Sequence, residues 1–202
     1  PLRMTNMLRR ITASLIAFFS VMVFASTAVH AFWYAPPEEE VFVRESTLQR
    51  QLAPRPAEYP MRLTIPALDI DTKVQNVGIT AKGTMSVPNN FSDVGWYKYG
   101  VAPGQRGSAV MAGHVDNAIG LPGVFKRLAD LHVGDDVYIE RKDGTSLHFV
   151  VEEIKSYAVS DAPVGKIFGR DDGTYLNLIT CEGDWIQSQR QYDRRLVVYT
   201  KL

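Results

Sequence analysis

The sequence predicts an all-β protein: a closed or nearly closed β-barrel of about 140 residues, which follows an apolar N-terminal segment. Three observations lead to this prediction. From Met61 onward, short stretches alternate apolar and polar residues between turn residues. The same region shows little of the i, i+3, i+4 apolar spacing that indicates helices. Before that region, residues 11–37 contain no Asp, Glu, Lys or Arg.

The composition suits one globular domain with appendages. The chain has 202 residues, with 22 acidic and 22 basic side chains, so its formal net charge is zero. Nucleic-acid-binding proteins normally show a basic excess or a basic stripe. The charge balance therefore argues against a nucleic-acid partner.

The uncharged segment is long enough to cross a membrane. As a helix, residues 11–34 would span roughly 36 Å, and a bilayer core is about 30 Å thick. Arginines precede the segment and Glu38–Glu40 follow it. We therefore expect a cytoplasmic N-terminus (1–10) and a transmembrane anchor (11–35), with the rest of the chain on the extracellular side of the membrane. A cleaved signal peptide is the alternative, since Val29-His30-Ala31 resembles a cleavage site. Both interpretations, the anchor and the signal peptide, place the later residues outside the cytoplasm.

Beyond the anchor, the sequence predicts a linker and then the barrel. Residues 36–59 contain four prolines among polar residues and are expected to be a linker, and residues 60–202 are expected to form the barrel. The strand-like segments are MRLTIPALDIDTKVQNV, SAVMAGHV, TYLNLITC, RRLVVYTKL and a hairpin around Asp143-Gly144. VFKRLADLHVGD predicts a short amphipathic helix that stops before Gly134. Residues 161–173 are expected to form a long loop.

Cys181 is the only cysteine in the chain. Most single cysteines are small buried hydrophobes. Outside the cytoplasm, however, an unpaired thiol points to a reactive residue or an intermolecular bridge. A nucleophilic cysteine also needs an acid/base group and a group that stabilises an oxyanion.

Histidine is the usual acid/base partner of a cysteine, and the chain has four. His30 lies in the apolar segment, His132 is expected in an exposed loop, and His148 alternates within a hairpin strand. His114 differs because it follows the apolar strand SAVMAG and would lie at a barrel rim. A structural histidine remains the alternative there.

Three short motifs carry a resemblance to a known family. AGH at 112–114, LITC at 178–181 and Arg195 before LVVY resemble the three signatures of the sortase family, in the family's own order. The resemblance covers about residues 60–202 and includes FKRLADLHVGD. It implies a closed eight-stranded β-barrel with one or two short helices. Among the subgroups, the sequence is most similar to the class E and class F sortases.

The resemblance implies a cysteine transpeptidase. Cys181 would attack a sorting signal similar to Leu-Pro-x-Thr-Gly between Thr and Gly and form an acyl-enzyme. His114 would donate and accept the proton, and Arg195 would stabilise the oxyanion or the substrate carbonyl. Arg194, by strand alternation, should point to the opposite face. Neighbouring cations favour the thiolate form of a cysteine.

The resemblance also implies partners and contacts. The substrates would be surface proteins with a C-terminal sorting signal, and the acceptor would be an amine of a cell wall precursor or a pilin-type lysine. Five residues are candidate substrate contacts: Thr180, Ala162, Pro163, Val164 and Ile167. Ordinary loop packing is the alternative for the residues of the 161–173 loop. No cofactor is expected, and no metal, because one cysteine and scattered histidines have no zinc-ligand spacing.

One residue departs from the family pattern. The family favours Thr-Leu-x-Thr-Cys, and here Asn177 takes the place of the first Thr. On a strand, Asn177 would share a face with Cys181 and could change the local hydrogen bonding.

Two other functions remain open from the sequence. A secreted cysteine hydrolase is one, although papain-like enzymes place the cysteine before the histidine in the chain, whereas His114 precedes Cys181. A membrane-tethered binding module, with both residues structural, is the other. Convergence of the thiol, the imidazole and the guanidinium at one groove would favour the transpeptidase.

Overall fold

The computed structural model describes residue 22, residues 56–117 and residues 119–202. The expected cytoplasmic N-terminus, the anchor apart from Met22, and the linker as far as residue 55 lie outside the described residues. Within the described part of the chain, no helix has the length and apolar character that a membrane crossing requires.

Eight strands form a closed barrel, as the resemblance implies. They are β1 (Pro60–Ile65), β2 (Ile70–Val77), β3 (Val94–Tyr97), β4 (Gly107–Ala112), β5 (Asp136–Arg141), β6 (Ser146–Ala158), β7 (Thr174–Ile186) and β8 (Gln191–Lys201). Around the barrel the order is β1-β2-β3-β4-β7-β8-β6-β5. The β2–β3 and β4–β7 pairs are parallel and the other pairs are antiparallel.

Local sequence explains the turns between the first strands and between β5 and β6. β1 ends before Pro66, which cannot donate a ladder hydrogen bond, and a 3₁₀ turn (Pro66–Leu68) follows. Asp69 has a φ of 55°, a left-handed conformation that Asp tolerates, and the chain returns as β2. The β5–β6 hairpin turns at Gly144, whose φ is 81°. The hairpin predicted around Asp143-Gly144 is confirmed.

The sequence gives no period-two signal for β3. All four of its residues are buried, so both faces of the strand are covered and the polar positions that mark alternation are missing.

The helix predicted for VFKRLADLHVGD is wrong. The segment contains one 3₁₀ turn, Leu128–Asp130, with hydrogen bonds from Leu128 N to Phe125 O (3.1 Å) and from Asp130 N to Arg127 O (2.9 Å). The apolar side chains Phe125, Leu128 and Leu131 recur every three residues, which suits these i to i+3 bonds rather than an α-helix. A short α-helix, α1 (Val164–Phe168), lies instead in the segment expected to be a loop.

Alternation along the strands produces two apolar clusters. The barrel interior holds one, which includes Trp96, Phe149, Leu176 and Leu178. The other covers the outer face of β3, β4, β7 and β8 beneath α1; its members are Val77, Met85, Tyr97, Val110, Ala112, Ile167, Ile179, Val197 and Tyr199. The barrel wall between α1 and the interior is therefore buried on both sides.

Candidate active site

His114 and Cys181 leave neighbouring parallel strands side by side. In the β4–β7 pair, Ala112 is opposite Ile179. His114 follows Ala112 by two positions, and Cys181 follows Ile179 by two positions. Gly113 N donates to Ile179 O (3.1 Å), and Thr180 Oγ1 donates to Gly113 O (2.8 Å), so the pairing continues past the end of β4. The parallel register therefore places the two residues together at one rim of the barrel.

Cys181 and Arg195 are direct cross-strand partners in the antiparallel β7–β8 pair. Opposite residues in such a pair point to the same face, with Cβ atoms about 4.5–5.5 Å apart. Both residues continue the alternation of the outer-face cluster, which includes Ile179 and Val197. The thiol and the guanidinium therefore share the outer face.

The main chain of β8 holds the Arg195 side chain. Its Nη1 donates to the carbonyl oxygens of Tyr192 (3.0 Å) and Arg194 (2.9 Å), and the residue is completely buried. A buried guanidinium requires such bonds because an unsatisfied charge in the interior is costly. The two bonds fix one terminal nitrogen of the guanidinium.

Arg194 belongs to a different set of contacts. Its Nε donates to Ser156 Oγ (2.7 Å) and lies 3.9 Å from Glu182 Oε2, and Glu182 also accepts from Ser156. In the β7–β8 ladder Arg194 is opposite Glu182, not Cys181. Strand alternation thus separates the two neighbouring arginines.

His114 is buried and is held by main-chain contacts. Only 2% of it is exposed, and its Nε2 lies 3.1 Å from Pro88 O. Because a carbonyl oxygen only accepts, Nε2–H is the donor in this contact. Phe125 N donates to His114 O (3.0 Å). Gly123 is required beside it, since a Cβ there would lie 2.3 Å from that carbonyl oxygen.

The structure places two of the other histidines on the surface. His148 Nε2 lies 2.6 Å from Asp136 Oδ1, and the ring stacks on Tyr138 with centroids 4.8 Å apart. His132 lies in an exposed loop whose main chain is capped by Asp135. Neither approaches the barrel rim that carries Cys181, and His30 lies outside the described residues.

A cleft of about 220 Å³ opens beside Cys181 and is called the cysteine cleft below; its lining includes Val115, Phe125, Thr180, Cys181, Tyr192 and Leu196. Cys181 itself is only 2% exposed. A larger, open groove of about 670 Å³ lies between β2 and residues 90–93 and 122–124. None of the three predicted catalytic residues lines that groove, and Cys181 is the one of the three that lines the cysteine cleft; His114 and Arg195 do not.

The candidate substrate contacts fall into three environments. Val164 is 37% exposed at the start of α1, and Ala162 and Pro163 are partly buried just before it. Ile167 is completely buried in the outer-face cluster. Thr180 is buried, and its hydroxyl donates a hydrogen bond to Gly113 O. Of the five, Val164 offers the most accessible apolar surface.

Asn177, the residue that departs from the family pattern, connects β7 to α1. It is fully buried, and its Nδ2 donates (2.5 Å) to the main-chain oxygen of Ile167, the fourth of the five residues of α1. Asn177 therefore joins the strand that carries Cys181 to the helix that flanks it. Its Oδ1 has no hydrogen-bond partner among the described residues. The sequence placed the residue correctly, but its partner lies in a segment expected to be a loop.

A second contact anchors α1. Lys166 forms an ion pair with Glu153 and lies 4.3 Å above the Tyr199 ring centroid. The Lys166 hydrogen bond holds the pKa of the Glu153 carboxyl below its usual value, with Lys155 contributing. Burial, followed by the hydrogen bond with Tyr157, raises the pKa of Tyr199, which is therefore a neutral phenol.

Sequence reasoning missed three residues around the site: Pro88, Asp116 and Tyr192. Pro88 contacts the His114 ring, and Tyr192 Oη donates to Asp116 Oδ2 (2.5 Å). These contacts join positions far apart in the chain, so no local pattern could reveal them. The described residues contain no group of three or more His, Cys, Asp or Glu side chains that could hold a metal ion.

These features define a class: a closed β-barrel that gathers a histidine, a cysteine and an arginine at one rim. The family model of the sortase domain matches residues 63–202. The chain belongs to the sortase family. No curated protein matches the sequence significantly.

Solved structures share the fold at low sequence identity. Sortase C1 of GBS pilus island 1 is 22% identical with a TM-score of 0.52, over 69% of this chain and 63% of that one. Sortase A from Corynebacterium diphtheriae, as a lid mutant, is 22% identical with a TM-score of 0.53, over 77% and 75%. Sortase C from Clostridium perfringens with the C-terminal cell wall sorting motif is 19% identical with a TM-score of 0.50, over 69% and 67%. This chain spans less than two thirds of the GBS structure. The similarity to class E and class F sortases stays a prediction.

Proposed function

We propose that this protein cleaves a sorting signal similar to Leu-Pro-x-Thr-Gly between Thr and Gly, and transfers the acyl group from Cys181 to an amine. The observation that carries the proposal is the cross-strand pairing of Cys181 with Arg195 beside the strand end that bears His114. Because the chain has one cysteine, no other residue can supply a thiolate nucleophile.

Acylation proceeds by attack of the Cys181 thiolate on the Thr carbonyl carbon. A C–S bond forms and the carbonyl electron pair moves onto oxygen. The Arg195 guanidinium stabilises this oxyanion, since arginine stays charged and presents several donors in a planar fork. When the tetrahedral species collapses, the C–N bond breaks and the leaving glycine amine takes a proton from the His114 imidazolium.

Transfer reverses these steps with a new amine. The amine attacks the thioester carbonyl, a C–N bond forms, and the C–S bond breaks to regenerate the thiolate. His114 accepts the proton that the amine releases. The Nε2–H bond to Pro88 O orients the ring, so Nδ1 is the nitrogen that exchanges protons with substrate.

Substrate would approach across α1, where Val164, Ala162 and Pro163 are partly accessible. The similarity in fold to a Clostridium perfringens sortase C that was solved with its sorting motif supports a substrate of this kind. The proposed acceptor is an amine of a cell wall precursor or a pilin-type lysine. Residues 11–35 would anchor the chain, with the barrel on the extracellular, cell wall side of the membrane.

The test incubates the purified full chain with a panel of sorting peptides and an added amine, and identifies products by mass spectrometry. We expect peptide cleaved after Thr and joined to the amine, and no such product from Cys181→Ala. A wild-type chain that is inert across the panel would contradict the proposal. Peptide binding without cleavage would support a binding module instead.

A further inference from the structure

Tyr192 links the two parts of the chain that supply His114 and Arg195. It lies near the start of β8, and its Oη donates to Asp116 Oδ2 at 2.5 Å across 76 positions of sequence. Asp116 follows His114 by two residues. The hydrogen bond therefore ties the β7–β8 hairpin to the segment that leaves the catalytic histidine strand.

The main chain of the same tyrosine contacts the guanidinium. Arg195 Nη1 donates to Tyr192 O at 3.0 Å. The position of the Arg195 side chain thus depends on where the Tyr192 backbone lies. The phenol fixes that backbone relative to Asp116.

The segment that carries Asp116 is tightly folded. Asp116 forms a β-bridge with Pro122, Gly123 N donates to Val115 O (2.9 Å), and Phe125 N donates to His114 O (3.0 Å). Gly123 packs so closely on the His114 carbonyl that a Cβ there would clash. A displacement of Asp116 would therefore reach His114 through a short, rigid path.

The Tyr192–Asp116 bond also lies beside the nucleophile. Val115, Tyr192 and Cys181 all line the cysteine cleft. Trp185 packs against the Tyr192 ring with centroids 5.3 Å apart at 72°, which restrains the ring from the hairpin side. A hydroxyl that donates to a carboxylate makes a short, strong bond, as the 2.5 Å distance indicates.

We propose that Tyr192 and Asp116 are positioning residues of the transpeptidation site, whose hydrogen bond holds the His114 segment and the Arg195 guanidinium in register around Cys181. The inference rests on the proposed function. Neither side chain needs to touch the substrate. The two side chains align the reacting groups. Loss of their hydrogen bond should therefore lower kcat and leave KM nearly unchanged.

The test compares steady-state kinetics of Tyr192→Phe, Asp116→Ala and the double variant with those of the wild type. We expect each single variant to lower kcat by roughly 10-fold, with KM within about 2-fold of the wild-type value. The double variant should be no slower than the slower single variant, because both remove the same bond. Asp116→Asn keeps an acceptor oxygen and should recover part of kcat. Tyr138→Phe, on the surface beside His148, is the matched control.

Each variant is assayed below its own melting temperature, so that unfolding does not lower kcat. If one variant fails to fold, the other removes the same bond from the opposite side and decides the question. A kcat unchanged in Tyr192→Phe and Asp116→Ala would overturn the inference, whether the labelling of Cys181 by a thiol reagent stays at its wild-type rate or becomes faster. That second result would make the tyrosine a cover over the thiol. A wild-type chain without activity would overturn the proposed function itself, and the inference with it.

Discussion

Cys181 and Arg195 face each other directly across the β7–β8 ladder, whereas Arg194 faces Glu182. One residue of register therefore decides which arginine lies beside the thiol. A slip by one position would bring Arg194 to Cys181 and move Arg195 away, because side chains alternate strictly between the two faces of a strand. Within β8, Arg195 Nη1 also donates to Tyr192 O and Arg194 O, which holds the guanidinium in place.

Substitution of the two neighbouring arginines should change activity to very different extents. We expect Arg195→Ala to lower kcat/KM by about 100-fold or more, because it removes the donor that faces the developing oxyanion. Arg194→Ala, the matched control, should stay within about 3-fold, since it removes a partly exposed ion pair on the other face. Peptide-cleavage kinetics measure both values. Equal losses in the two variants would contradict the register argument.

Asn177→Ala should destabilise the fold. The change leaves Ile167 O buried without its donor, which costs about 1–3 kcal/mol. Urea denaturation measures the free energy of unfolding. Asn76→Ala, at an exposed position of β2, is the control and should change it by less than about 0.5 kcal/mol. If the two variants are equally stable, Asn177 does not hold α1.

The ion pair between Lys166 and Glu153 should make stability depend on acid pH. Its hydrogen bond lowers the pKa of Glu153 in the folded state, so the stabilisation is complete above the ordinary pKa of glutamate. It is lost as the pH falls through the lower folded value. Both side chains are about a third exposed, so the effect is small and salt weakens it.

Free energies of unfolding, measured from about pH 3 to 6, test this dependence. The difference between the wild type and Glu153→Gln should shrink as the pH falls. A difference that stays constant across the range would show that this carboxylate contributes nothing through its charge.

The sequence predicted those parts of the site that are encoded in strands. His114, Cys181 and Arg195 lie in or just beyond runs of alternating or small apolar residues, so their placement in strands and at a rim followed from local pattern. The family pattern, in which the arginine directly precedes the apolar LVV, favours Arg195 over Arg194. The strand period adds only that the two arginines point to opposite faces, and Arg195 is the one opposite Cys181 in the β7–β8 ladder. Their chemical roles stay predictions.

The remaining features depend on long-range contacts. Tyr192 and Asp116 meet across 76 positions, and Asn177 finds its acceptor in a helix of five residues that had no clear periodic signal. The 3₁₀ turn at Leu128 was mistaken for a helix because three-residue and helical spacings overlap in a short segment. In each case tertiary packing, rather than local preference, determines the structure.

The most direct test of the central claim is to locate the acyl group. The full chain is mixed with a Leu-Pro-x-Thr-Gly peptide without an amine acceptor, then acidified, digested and analysed by mass spectrometry. We expect the acyl group on the peptide that contains Cys181, its release by hydroxylamine, and its absence from Cys181→Ala. An acyl group on any other residue, or peptide transfer that persists in Cys181→Ala, would contradict the claim.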